Sequence, residues 1–143
     1  MKKVYISGRI SGLPREQYAK YFAEAERMLK ADGYDVVNPT RFWLCKCYEK
    51  IERLLGADTT YRIVLLYDIW RMLRCDMIYK IPGWQQSRGA NIESCVAYHL
   101  NVWPVRKDTI KDIDMRLQRI IRKDSDTDDG KPKTKKQPKR KTS

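Results

Sequence analysis

Two carboxylates in this sequence sit where carboxylates are costly. In the stretch GWQQSRGANIESCVAYHL, residues 83–100, Ile92, Cys95, Val96, His99 and Leu100 mark the apolar stripe of a helix. Glu93 lies beside that stripe and not opposite it. Its neighbours one turn away are Gly89, Ala90, Val96 and Ala97. Asp68 likewise has Val64 and Met72 one turn to either side. Burying an unpartnered charge is expensive, so such placement suits carboxylates that act on a ligand. One, ionised, would be a nucleophile; the other, held neutral, would donate a proton. The plainer readings are a solvated helix-edge carboxylate at Glu93 and an ion pair of Asp68 with Arg62 or Arg71.

Other residues with chemical capacity lie in separate stretches. YISGRISG (5–12) runs a strand into a glycine-rich turn carrying Tyr5, Gly8, Arg9, Ile10, Ser11 and Gly12. SRGANIE (87–93) places Ser87 six residues before Glu93, with Gly89 between them. Asn38 precedes Pro39 at the end of a further strand. Cys45, Cys47, Cys75 and Cys95 show no CxxC spacing and His99 is the one histidine, so no metal site is expected. Tyr5 could equally be a core tyrosine, and His99 reads as structural.

The elements that must position these residues follow from periodicity and turn signals. Strands are expected at 2–6, 34–39, 75–81 and 101–105, and helices from Pro14 to about Gly33, from the Asp58-Thr59-Thr60 caps to about Arg74, over 87–100 and over about 109–122. Residues 41–58 read as a loop or a short helix. Alternating strands and helices predict an α/β three-layer sandwich with a four- to five-stranded parallel sheet, Rossmann- or flavodoxin-like. Ligands bind such sheets beyond the carboxyl ends of the strands. That edge gathers Ser7–Gly12, Asn38–Thr40 and the 82–90 loop.

The chain of 143 residues carries a formal net charge of +12. Seven of those charges fall in 131–143, KPKTKKQPKRKTS, leaving +5 on the rest. The reading is one domain over 1–122 and a disordered basic tail over 123–143. The tail would bind nucleic acid weakly and without sequence preference. No apolar run reaches a membrane span, and MKKVYISG breaks before a signal core could form. The expectation is a cytoplasmic protein with no membrane partner.

Taken together, Y-I-S-G-x-I-S-G, V-V-N-P, D-x-x-x-L-x-x-C-D and G-W-x-x-S-x-G-A-x-x-E resemble the nucleoside 2-deoxyribosyltransferase-like superfamily over roughly residues 2–105, nearest to a bacterial and phage branch related to the 2′-deoxynucleoside 5′-monophosphate N-hydrolases. The resemblance implies that Glu93 attacks the anomeric carbon, that Tyr5 hydrogen-bonds Glu93 and that Asp68 faces the leaving base. Ser87 in place of aspartate implies a 5′-phosphate beside it, with Gly8, Arg9, Ile10, Ser11, Gly12, Asn38 and Gly89 completing the substrate site. The monophosphate hydrolases carry an arginine after the isoleucine of the first motif; here Ser11 stands there and Arg9 precedes Ile10. The implied activity needs no cofactor. It also implies a homo-oligomer, for which Trp43, Tyr48 and Trp70 offer apolar surface. The rival functions are a non-catalytic nucleotide-binding module and a nucleic-acid-associated protein acting through its tail.

Overall fold

A computed structural model describes residues 1–42 and 47–128. Its organising element is strand β1 (Lys3–Ser7), whose alternate side chains enter opposite cores. Val4 and Ile6 pack into one, while Tyr5 packs into the other and Ser7 is buried beside it. Strands β2 (Asp35–Val37), β3 (Met77–Lys80) and β4 (Trp103–Pro104) complete a parallel sheet in the order β2-β1-β3-β4.

Parallel neighbours cannot be joined by a tight turn, so helices make the crossovers. Helix α1 (Arg15–Ala31) joins β1 to β2. Helices α2 (Tyr48–Leu55) and α3 (Ala57–Met72) lie between β2 and β3. Helix α4 (Arg88–His99) joins β3 to β4, and α5 (Lys107–Asp128) follows β4. Phe22, Ala25 and Leu29 of α1 and Ile113 and Leu117 of α5 cover one face of the sheet. Met72 of α3 and Ala97 of α4 cover the other, against Tyr5 and Ile78. The expected three-layer α/β sandwich is therefore the fold, with four strands among the described residues. Its strand order reverses direction of growth between β1 and β3, where sheets of this type open a crevice.

Several expected boundaries shift. Helix α3 starts at Ala57 on Gly56, which turns the chain with φ +81, and not at the Asp58-Thr59-Thr60 caps. Thr60 is buried inside the helix and its hydroxyl donates to the carbonyl of Gly56 at 2.7 Å. Within α4 the buried positions are Ala90, Glu93 and Ala97, at i, i+3 and i+7. Cys95, His99 and Leu100 are exposed; the stripe was expected one step out of phase. Helix α5 runs to Asp128, so the expected boundary at 122 is too early. The apolar stripe ends at Ile121, but Asp124 takes hydrogen bonds from Lys20 and the Tyr21 hydroxyl, both at 2.8 Å, and ties the extra turns to α1. The basic segment 131–143 and Trp43 lie outside the described residues. Among the described residues no helix is long and apolar enough to cross a membrane.

Candidate active site

Small residues bring Glu93 to the sheet. With Ala90 and Ala97 on its buried face, α4 closes tightly enough on β1 for the carboxylate to reach two strand hydroxyls. Ser7 Oγ donates to Glu93 Oε2 at 2.5 Å, and the Tyr5 hydroxyl donates to Oε1 at 3.0 Å. Glu93 is 6% exposed. Burial pushes its carboxyl up to about 7, and the hydrogen bonds from Ser7 and Tyr5 pull the other way by favouring the ionised form. Tyr5 is driven well above its ordinary value by burial and then by the charge of Glu93, so it stays a donor.

Asp68 approaches from α3. Burial raises its carboxyl to about 8, the charge of Glu93 adds to the rise, and Arg71 opposes it. Asp68 makes no ion pair among the described residues. The Arg71 guanidinium instead stacks on the ring of Phe42, 3.0 Å from its centroid. Burial therefore pushes both carboxyls towards the protonated form, Asp68 further than Glu93, and the two titrate as a coupled pair.

Both open into a cavity of about 490 Å³, within the range of small-molecule sites. Gly8, Ile10, Ser11, Ser87 and Gly89 line it as expected. Ser87 also caps α4, accepting from the Ala90 N–H at 3.3 Å, which leaves the serine's own proton available to a ligand. Tyr5 lies under the cavity floor as a partner of Glu93. Three expected residues are elsewhere. Arg9 folds back on its own turn, donating to Gln86 Oε1 at 2.8 Å and to the Ser11 carbonyl at 3.2 Å. Gly12, at φ +80, lies under that guanidinium. Asn38 is buried as a cap: its amide donates to Glu26 at 2.9 Å and its oxygen accepts from the Thr40 N–H at 3.0 Å. Tyr48, expected on an outer surface, lines the cavity instead.

The sequence places Ser7 at the ligand edge without giving it the bond to Glu93, and it does not reveal the aromatic wall. That bond was within reach of the sequence, because period-two alternation puts residue 7 on the same face as Tyr5. Tyr18, Phe42 and Tyr61 come from three separate elements and carry no shared pattern. Among the described residues, no group of three or more His, Cys, Asp or Glu side chains could hold a metal ion.

A protein family described as a domain of unknown function (DUF4406) matches residues 2–103. The chain belongs to that family. No curated protein and no solved structure shows significant similarity to it. Every residue of the site just described falls inside the matched span, and α5 falls outside it.

Gly89 is the one helical glycine of this DUF4406 domain that faces the cavity. A Cβ added there would meet the Tyr61 hydroxyl at 3.6 Å, Leu65 Cδ1 at 3.8 Å and Ser87 Oγ at 3.9 Å, all ordinary contacts. Gly89→Ala should therefore stabilise the fold by about 0.5–1 kcal/mol, the usual gain of alanine over glycine within a helix. A denaturant melt checks this, and a loss of stability would show the backbone there to be less helical than described.

Proposed function

We propose that the chain is a cytoplasmic N-glycosidase or deoxyribosyltransferase that cleaves the N-glycosidic bond of a nucleoside or nucleoside 5′-monophosphate, with Glu93 as nucleophile and Asp68 as acid. The observation that carries this reading is the pair itself. Two buried carboxylates face one cavity: Glu93 accepts from Tyr5 and Ser7, which favours its ionised form, while burial and the charge of Glu93 favour the neutral form of Asp68. Glycosyl transfer needs that division of labour.

In the first step a carboxylate oxygen of Glu93 attacks C1′. The C1′–N bond breaks, and the electron pair leaves with the base, which takes the proton of Asp68. The positive charge that develops on the sugar ring is stabilised by the Glu93 charge before the ester forms. In the second step Asp68, now ionised, takes a proton from water or from an incoming base as that group attacks C1′ and releases Glu93. Tyr5 and Ser7 hold Glu93 in place throughout and bear part of its charge whenever it is ionised. The aromatic wall of Tyr18, Phe42 and Tyr48 suits a planar base.

Incubation with a panel of nucleosides and nucleoside 5′-monophosphates, followed by chromatography, should show free base. Binding without release across the panel would favour a non-catalytic nucleotide-binding module instead.

The same proposal includes a homo-oligomer. Ile63, Leu66, Trp70 and Leu73 form an exposed apolar stripe along the outer side of α3, with Leu66 67% and Trp70 52% exposed. A second copy covering this stripe would lie on the helix that carries Asp68. Sedimentation should give a dimer or larger species at micromolar concentration, and Leu66→Glu should dissociate it. A wild-type monomer with full activity would refute this part.

A further inference from the structure

We propose that the Tyr61 hydroxyl is a binding group for the 5′-phosphate of the ligand, resting on the nucleotide reading above. The hydroxyl oxygen of Tyr61 is closed off from water and is the one buried side-chain polar atom among the described residues that has no hydrogen-bond partner. An enclosed hydroxyl without a partner destabilises the fold that holds it, so its retention calls for a partner that arrives with the ligand. The surroundings say what that partner is. The hydroxyl lies 3.6 Å from the point where a Gly89 Cβ would be, and Ser87 Oγ lies 3.9 Å from the same point. Two hydroxyls thus flank one small gap at the start of α4. One of the two lone pairs of Ser87 is used by the Ala90 N–H, and its proton remains to be offered to the gap.

The first N–H groups of a helix have no intrahelical acceptor, and the helix dipole adds positive potential there. A gap lined by donors at such a place selects a group that only accepts, and an anionic one above all. Glu93 stands one helical turn further along the same helix, about 6 Å by the rise per residue. That separation matches a pentose held with C1′ at the carboxylate and its 5′-substituent at the gap. Tyr61 is only partly buried and lines the cavity, and the proposal includes a turn of this side chain that brings its hydroxyl onto a phosphate oxygen.

The test is calorimetric titration of the full chain and of Tyr61→Phe with three probes: 2-deoxyribose 5-phosphate, a nucleoside 5′-monophosphate and the matching nucleoside. Tyr61→Phe should weaken both phosphorylated ligands about ten-fold or more, the usual effect of one hydrogen bond to a charged group. Nucleoside affinity and the melting temperature should be no lower than in the wild type. Gly89→Ala, whose methyl group fills the gap in ordinary contact with both hydroxyls, should give the same selective loss. Unchanged affinity of Tyr61→Phe for 2-deoxyribose 5-phosphate would overturn the proposal, as would an equal loss for the nucleoside or no wild-type binding of the sugar phosphate. Selective loss in a protein that releases no base would uphold Tyr61 and sink the glycosidase reading. Normal base release with unchanged affinities would sink Tyr61 alone.

Discussion

Glu93→Gln should lower base release by three orders of magnitude or more while leaving a folded protein. An amide cannot form the glycosyl ester, and nucleophile replacements elsewhere cost at least on the order of 10³ in turnover. Glutamine is a sharper test than alanine because of the two hydroxyls that hold the side chain. Tyr5 and Ser7 both donate to the carboxylate inside the core. Alanine would leave both without an acceptor, at about 1–3 kcal/mol each, and its inactivity could be mere unfolding. Glutamine keeps one acceptor, and its NH₂ group can donate to the lone pair of the other hydroxyl. It also removes a desolvated charge, so its stability at pH 8 should equal or exceed that of the wild type. Urea denaturation and chromatographic turnover on the same preparation decide the matter. Folded Glu93→Gln with turnover within ten-fold of wild type would end the case for a covalent Glu93.

The layers and the parallel sheet were legible because each strand and helix carries its own period and alternating strands and helices admit few topologies. Glu93 was legible for a related reason: glycine and alanine one turn away mark a helix face built for close approach. What failed was the reading of turns by residue type. Arg9 is a cation in a glycine-rich turn, yet Gln86 and the carbonyl of Ser11 in that same turn occupy it. Asn38 reads as a polar group at the ligand edge, yet Glu26 on α1 needs a buried donor and takes it. Gln86 and Glu26 are both distant in sequence from the residues they claim, so spacing could not reveal the pairings. Helix α5 illustrates the reverse. Its last turns have no apolar stripe to betray them and are held by the polar contacts of Asp124 with Lys20 and Tyr21. The wall of Tyr18, Phe42, Tyr48 and Tyr61 exists only once α1, α2 and α3 are packed around the crevice.

Asp68→Asn should cost two to four orders of magnitude in turnover on substrates with poor leaving bases, the usual worth of a placed general acid. It should also change the shape of the pH profile. In the wild type, activity requires Glu93 ionised and Asp68 protonated, so kcat/KM should rise through about pH 7 and fall through about pH 8. The variant has no proton to lose, so its alkaline limb should flatten at the lower rate. Stability should move in the opposite sense to activity. The folded-state carboxyl of Asp68 titrates at about 8, against an ordinary value of 3.8. The unfolded chain therefore releases this proton first, and wild-type stability falls as pH rises from about 4 towards 8. Asparagine does not titrate, so Asp68→Asn should gain on the wild type across that window and keep its advantage at pH 9. A ten-fold difference in proton affinity between the folded and unfolded chains corresponds to about 1.4 kcal/mol, so even part of the expected gain is measurable by urea denaturation at pH 5 and pH 9. A stability difference that is the same at both pH values would mean that Asp68 is ionised throughout. The proton that the departing base needs would then have to come from another group.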